Sequence, residues 1–444
     1  MVRLFFFAAA SAFFWPVLSI TGALKFILQT SPFVAICTSV SLRQVEGGAA
    51  VGFAVALAAM FRRRWFCRYI CPTGLLLEWA ARIGPAKALW WEKLPHIGKY
   101  TALLTFFGAI LGYPFLLWMD PLAIFSSFFS IRTAGTILSG FLAGIGLAVL
   151  FLIGLASGQL WCARLCPLGG AQDILISVKS LFRKKGAAPI EPKKEIMPMR
   201  RALLLGAAGI GIGFLARRAG AARGEDAPLR PPGAAAEDVF TGLCTRCGNC
   251  ARACPSGIIT PDSGQAGLWG LLAPVINYTR ERNDFPYLRG LFDTMQRQVS
   301  LTYYRVRRAQ PSLPRVKNPR ASTGKSFHSR VYDKKYCLPD CVDCTMVCPS
   351  GALQRLDIER KRRYIIGEAL IDHSLCLVTL GRKDCDACVA ACPFGAVRIH
   401  WDDELYAAYP LIDMNNCNGC GACEVVCPVE GYKAIRVWKL ENPG

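Results

Sequence analysis

Sixteen of the 21 cysteines in this 444-residue chain lie in its second half, in four runs of four. Cys244-x2-Cys247-x2-Cys250-x3-Cys254-Pro255 and Cys417-x2-Cys420-x2-Cys423-x3-Cys427-Pro428 share one spacing. The other two lengthen the first gap: Cys337-x3-Cys341-x2-Cys344-x3-Cys348-Pro349 and Cys376-x8-Cys385-x2-Cys388-x3-Cys392-Pro393. This spacing suits a four-iron cube. Three closely spaced thiolates wrap one cluster, and the fourth reaches its neighbour. A proline after the fourth loses nothing, because the first turn of a helix needs no N–H donor. Structural zinc takes two separated pairs, and disulfides within so short a run would be strained. Four [4Fe–4S] clusters are therefore the expected cofactors.

The two stretched motifs are near neighbours and the two regular ones flank them. That favours pairing the first motif with the fourth and the second with the third. The expected ligand sets are Cys244, Cys247, Cys250 with Cys427; Cys417, Cys420, Cys423 with Cys254; Cys337, Cys341, Cys344 with Cys392; and Cys376, Cys385, Cys388 with Cys348. Ser350-Gly351-Ala352-Leu353 resembles Phe394-Gly395-Ala396-Val397, and short β-type runs such as Tyr364–Ile366 and Ala396–Ile399 lie between motifs. The expected fold here is an α+β, ferredoxin-like polyferredoxin.

The first half holds two further pairs, Cys67-x3-Cys71-Pro72 and Cys162-x3-Cys166-Pro167. Their surroundings repeat, Trp65-Phe-Cys-Arg-Tyr-Ile-Cys-Pro-Thr-Gly74 against Leu160-Trp-Cys-Ala-Arg-Leu-Cys-Pro-Leu-Gly169. So do Pro32-Phe-Val-Ala-Ile36 and Pro121-Leu-Ala-Ile124. Cysteines four apart share a helical face, and a pseudo-twofold would bring the four together around a fifth [4Fe–4S] cluster. A thiol–disulfide switch and two unrelated buried pairs are the alternatives. Cys37 is left over. No Cys-x-x-Cys-His occurs, which excludes covalent c-type haem. The apolar runs contain none of the four histidines, His96, His328, His373 and His400, which argues against bis-His haem.

The elements that must carry these cysteines differ between the halves. Apolar runs at 4–28, 45–61, 100–119 and 138–157 are expected to cross a membrane. They form two copies of a two-helix unit. A shorter run, Ala202–Ala216, follows Arg200-Arg201 and reads either as a fifth span or as a Tat-like signal anchor. Gly206, Gly209, Gly211 and Gly213 within it lack a preceding strand, so close helix packing explains them better than a dinucleotide site. The expected domains are a membrane domain at 1–195, the anchor at 196–220 and a polyferredoxin at 221–444 with an insert at 262–336.

The net charge of +21 is unevenly spread. Arg62, Arg63, Arg64, Arg68, Arg82, Lys87 and Lys93 follow the second run. Arg164, Lys179, Arg183, Lys184, Lys185, Lys193, Lys194, Arg200 and Arg201 follow the fourth. The opposite loops carry little beyond Arg43 and Arg132. Basic segments stay on the cytoplasmic side. The expected orientation is a multi-pass protein of the bacterial inner membrane, its N-terminus inside and its C-terminal half in the periplasm. Topology thus accounts for the basic charge, and no nucleic-acid partner is expected.

With four spans and a Cys-x3-Cys-Pro after the second and fourth, residues up to about 190 resemble the NapH/MauN family of membrane ferredoxin-type proteins. Arg200-Arg201, Leu229-Arg-Pro-Pro-Gly233 and the four motifs with their stretched third resemble the NapG/MauM family. The resemblance implies a quinol dehydrogenase that passes electrons from the quinone pool to a periplasmic redox protein, a cytochrome or reductase, within a larger membrane complex. The implied alternative is an electron-donating assembly or maintenance factor for a metalloenzyme. The insert departs from the family pattern. Its Tyr303, Tyr304, Arg305, Arg307 and Arg308 would suit an acidic partner. Glu46, Asp120 and Lys25, beside the predicted outer face, are the candidate proton-handling residues of a quinol site. No nucleophile–base set or phosphate loop points to other chemistry.

Overall fold

The computed structural model describes residues 2–14, 21–45, 47–84, 93–133, 137–181, 199–222, 228–264, 267–278, 335–403 and 406–439. The described part of the first half is helical. After α1 (Val2–Phe14) and α2 (Thr21–Gln29) come α3 (Pro32–Leu42), α4 (Ala49–Phe61), α5 (Trp65–Tyr69) and α6 (Pro72–Ile83). Beyond α7 (Ile97–Ile110) the same order returns: α8 (Pro121–Phe128), α9 (Ile137–Ser157), a π-turn at Trp161–Leu165 and α10 (Pro167–Leu181). The repeat expected from the cysteine pairs therefore extends over α3–α6 and α8–α10. The last helix of this half is α11 (Met199–Ala222).

Four helices of the repeat open on a proline preceded by a capping side chain. Ser31 Oγ accepts from Val34 N–H (3.4 Å) at α3, and Asp120 Oδ1 from Leu122 N–H (2.9 Å) at α8. Cys71 Sγ accepts from Gly74 N–H (3.4 Å) at α6, and Cys166 Sγ from Gly169 N–H (3.5 Å) at α10. Each cap satisfies an N–H that the helix leaves without a partner. Ser31 Oγ also donates to Asp120 Oδ2 at 2.6 Å, which ties the two copies together.

The apolar runs do not translate one for one into helices. The 4–28 run contains two helices, α1 and α2. The 45–61 run gives only α4, whose 13 residues extend about 20 Å against a hydrocarbon core of about 30 Å. The 100–119 run yields α7, which ends because Gly112 takes a left-handed φ of 83° and Pro114 follows. Among the described residues, Leu138–Ser157 is the one helix long and apolar enough to span a bilayer by length and composition. The Ala202–Ala216 run lies within α11, whose 24 residues extend about 36 Å with an arginine pair near each end.

The glycines of α11 pack as expected. A Cβ on Gly209 would stand 2.7 Å from Leu104 O, one on Gly206 would touch the Phe107 ring, and one on Gly213 would meet Gly108. Gly211 faces open space. Gly209→Leu is expected to force α7 and α11 apart at a cost of roughly 1–3 kcal/mol. The check is a lowered midpoint of thermal denaturation in detergent, with Gly211→Leu leaving it in place.

The second half is two copies of one plan. In the first, α12 (Glu237–Leu243) and α13 (Asn249–Ala253) are followed by β1 (Ile259–Pro261), α14 (Gly267–Gly270) and β2 (Pro274–Ile276), then by α15 (Asp343–Met346). In the second, after α16 (Ile358–Arg363), come β3 (Glu368–Ile371), α17 (Ala387–Ala391), β4 (Val397–Asp402), β5 (Ala407–Ile412), α18 (Ala422–Val426) and β6 (Ile435–Trp438). β1–β2 and β4–β5 are antiparallel hairpins set between two motifs. The strand before the third motif pairs with the strand after the fourth, Glu368 opposite Trp438. Likewise Ala234, before the first motif, bridges Leu353, after the second. Within the expected insert, residues 262–264 and 267–273 connect the two strands of the first copy's hairpin and 274–276 form its second strand. The remainder of the insert, 279–334, with Tyr303, Tyr304, Arg305, Arg307 and Arg308, lies outside the described residues.

The first copy docks on the helical half. Tyr113 Oη and Thr241 Oγ1 are 3.0 Å apart. Arg217 Nε donates to Asp238 Oδ2 (2.9 Å), and the Arg252 guanidinium lies 5.1 Å from the Phe14 ring centroid.

Candidate iron–sulfur sites

All 21 cysteines are unbridged in the structure. Twenty of them gather into five groups of four. Cys244, Cys247, Cys250 and Cys348 line one cavity, with about 460 Å³ of atom-free space that opens partly to solvent. Cys376, Cys385, Cys388 and Cys427 line a second of about 420 Å³, and Cys392, Cys417, Cys420 and Cys423 a third of about 310 Å³. Cys254 stands with Cys337, Cys341 and Cys344, close enough that their charges act on one another. In the helical half, Cys67, Cys71, Cys162 and Cys166 do the same.

The soluble sets correct the pairing expected from motif similarity. The first motif exchanges its fourth cysteine with the second, and the third with the fourth. The reason is the strand pairing, which closes each copy of the plan around two motifs adjacent in sequence. Likeness of motif instead tracks loop conformation. Arg246 and Gly419 are left-handed at one position, and Gly248 and Gly421 at another, in the two regular motifs. Val342 and Asp386, at the matching place in the stretched motifs, share φ values of −124° and −119°. Each two-site unit holds one motif of each kind.

Burial pushes the thiol pKa values of Cys244 and Cys420 up to about 12 and that of Cys341 up to about 11, with neighbouring cysteines adding to the rise. Thiols raised this way are poor nucleophiles at neutral pH, since burial penalises the thiolate. A bound metal reverses that balance. Among the described residues no three Cys, His, Asp or Glu side chains converge closely enough to hold a lone metal ion. In three of the sets the sulfurs line a cavity instead, and four soft donors with no competing carboxylate fit a multi-iron cube. A [4Fe–4S] cluster held there would supply one-electron transfer.

The residues around the sets came largely unannounced. Gln172 Nε2 donates to Cys67 Sγ at 3.1 Å. Arg64 donates to the carbonyls of Cys162 (2.8 Å) and Ala163 (3.1 Å) and pairs with Asp173 (2.8 Å). Burial works against the Asp173 carboxylate, yet Arg64 and Arg63 outweigh it and hold its pKa below the usual range. Gly74 and Gly169 hold the two copies alike: a Cβ on either would approach the carbonyl of Cys67 or Cys162, at 3.1 and 3.4 Å.

One short helix connects the helical set to the first soluble set. At the start of α8, Thr73 Oγ1, two residues from Cys71, donates to Pro121 O at 2.9 Å. Towards its end, Ser126 Oγ donates to Cys247 O at 2.9 Å, and Arg252 donates to Ser126 O at 2.6 Å. The eight residues of α8 extend about 12 Å. At the far side of that copy, Cys337 N–H donates to Cys420 O at 2.9 Å, so the second and third soluble sets adjoin. The sets thus run in a row from the helical half to the cavity of Cys376, Cys385, Cys388 and Cys427.

The candidate quinol residues are not brought together. Asp120 is fully buried as the cap of α8 and the acceptor of Ser31. Lys25 lies on α2, partly buried and engaged elsewhere. Glu46 lies outside the described residues. The serine and aspartate that precede Pro32 and Pro121 were the available signal for the caps, since they stand at matching positions of the repeat.

Comparison with known proteins bears on both halves. Family profiles described as "4Fe-4S binding domain" match residues 46–89 and 139–185, and residues 238–260. One described as "4Fe-4S dicluster domain" matches residues 381–431. The methylamine utilization ferredoxin-type protein MauM of Methylorubrum extorquens is 30% identical over 256 residues, covering 55% of this chain and 90% of MauM. The ferredoxin-type protein NapG of Haemophilus influenzae is 28% identical over 276 residues, covering 60% of this chain and 78% of NapG. NapG of Escherichia coli is 28% identical over 244 residues, covering 53% and 80%. No solved structure matches the chain. With 90% of MauM covered at 30% identity and its paired motifs forming two-site units, this chain is an iron–sulfur electron-transfer protein of the MauM ferredoxin-type family, and it is similar to NapG.

Proposed function

We propose that the chain joins a NapH/MauN-like membrane half to the polyferredoxin and carries electrons between the quinone pool and a periplasmic redox protein through five [4Fe–4S] clusters. The observation that carries this is α8, which reaches from the Cys67, Cys71, Cys162 and Cys166 set to the Cys244, Cys247, Cys250 and Cys348 set. In this reading the domains are 1–195, 196–220 and 221–444.

Membrane residence is supported by the apolar side chains the helical half turns outward. Phe5 is 70% exposed, Phe61 77% and Leu204 71%, and Phe141, Leu152 and Leu215 are also exposed. So much exposed apolar surface marks contact with lipid or protein. The basic segments after α4 and α9 favour the inside for that face, and the polyferredoxin docks at the opposite end of α1 and α9. Arg3 pairs with Glu78 near the start of α1, whereas Phe14 at its end lies under Arg252.

The roles of the chain's own residues follow. The two cysteine pairs of the helical half and the four motifs of the polyferredoxin hold the redox groups close together. Asp173 and Arg64 fix the loop of Cys162, and Ser126 and Arg252 fix the loop of Cys247 against α8. Asp120 caps α8 and accepts from Ser31.

The test is anaerobic. A reduced menaquinol analogue is added to the full chain in detergent, and the visible iron–sulfur absorbance is followed. Prompt bleaching is expected. Intact absorbance that bleaches with dithionite but not with quinol would refute a quinol site in this chain.

A further inference from the structure

The sequence Ile358-Glu-Arg-Lys-Arg-Arg363 forms α16, a surface helix capped by Asp357, whose Oδ1 accepts from Arg360 N–H at 2.6 Å. Arg360, Arg362 and Arg363 point to solvent, as a basic run on a surface helix should. Lys361 does the opposite. It is 0% exposed, so its ammonium does not reach water along its stem. Its Nζ is directed at the Cys337 thiol, the side chain it can donate to, and among the described residues no carboxylate pairs with it. The groups its charge acts on are the thiols of Cys337 and Cys344. An isolated buried ammonium costs several kcal/mol, so its retention here needs an anionic partner.

The adjoining site carries the opposite sign. Glu424, on α18 between Cys423 and Cys427, is 5% exposed and accepts from Val437 N–H at 2.8 Å. Its charge acts on Cys423. The two sites touch through the Cys337 N–H to Cys420 O bond. Reduction adds one negative charge to a site, and low-dielectric surroundings magnify the effect of a fixed charge nearby.

We infer that Lys361 raises the reduction potential of the site formed by Cys254, Cys337, Cys341 and Cys344 above that of the site formed by Cys392, Cys417, Cys420 and Cys423, beside which Glu424 is buried. The inference rests on both sets holding clusters. It makes the middle of the row a step: one electron passes from the Glu424 side to the Lys361 side downhill, with no bond made or broken. An electron on the relay then resides on the unit that abuts the helical half. Lys361 is a positioning residue for charge and not a ligand.

The test is a mediated redox titration of the full chain in detergent, followed by electron paramagnetic resonance, for Lys361→Met, Lys361→Gln and Glu424→Gln. Each Lys361 variant is expected to lower one midpoint by at least a tenfold change in equilibrium, about 59 mV for one electron, with iron content kept. Glu424→Gln is expected to raise a different midpoint. Should Lys361→Met lose iron, Lys361→Gln, which keeps a donor towards Cys337, carries the same test. Unmoved midpoints in the lysine variants would overturn the role of Lys361, and an unmoved midpoint in Glu424→Gln would overturn the step. The readout needs no quinol, so a chain that fails the quinol test leaves this one intact. A wild-type chain without dithionite-reducible signals would instead refute the cluster assignment itself.

Discussion

Cys348→Ser is expected to strip the site that contains Cys244, Cys247 and Cys250, although Cys348 belongs to the second motif in the chain. The loss is about four iron atoms and one paramagnetic signal. Cys254→Ser, the reciprocal change, is expected to remove the site of Cys337, Cys341 and Cys344. Cys427→Ser should act on Cys376, Cys385 and Cys388, and leave the first motif untouched. Iron analysis and electron paramagnetic resonance on the three variants check this. The effect is large because Cys348 and Cys427 are buried and each lines a cavity with three other cysteines. A serine there leaves a harder, weaker donor and an incompletely coordinated corner. Loss of the first site in Cys427→Ser would restore the pairing by motif likeness.

The double variant Cys71→Ser, Cys166→Ser is expected to disconnect the polyferredoxin from quinol. Both sulfurs stand at helix N-termini and accept from Gly74 and Gly169, so the polar serine retains the caps while the soft ligands are lost. The helices should therefore persist. Quinol-driven bleaching is expected to fall by more than a hundredfold in rate, whereas dithionite should still reduce the four soluble sites. Stopped-flow absorbance with each reductant distinguishes the two. An unchanged quinol rate would mean that electrons enter the soluble half without the helical set, and α8 would be a strut alone.

Much of the site chemistry was legible in the sequence. Spacing alone identified the twenty cysteines, because a tight cubane loop tolerates few lengths, and the structure gathers all of them in fours. The repeat in the first half was equally plain, since Cys-Pro and the residue before Pro32 or Pro121 recur at matching positions. What spacing could not carry was long-range. Which motif donates its fourth cysteine to which is decided by Ala234 bridging Leu353 and by β3 pairing with β6, contacts far apart in the chain. The 45–61 and 100–119 runs were apolar enough for spans, yet helix length also depends on where Gly48 and Gly112 begin and end the turns. Lys361 was hidden in a run of four basic residues, three of them solvated. Its inward turn follows from helix phase and from the tertiary site it faces, neither of which composition reports. Asp120 looked like a proton acceptor because it is acidic and near a predicted membrane edge. Its place before a proline was the better guide, and the structure uses it as a cap.

Electron relay along this chain requires a cluster in every group of four cysteines. Iron and acid-labile sulfide per chain, measured on anaerobically purified full-length protein in detergent, test that directly. About twenty irons and as many sulfides are predicted, five sites of four each. About sixteen of each, unchanged in the Cys71→Ser, Cys166→Ser variant, would contradict the helical site and reduce the relay to the soluble half.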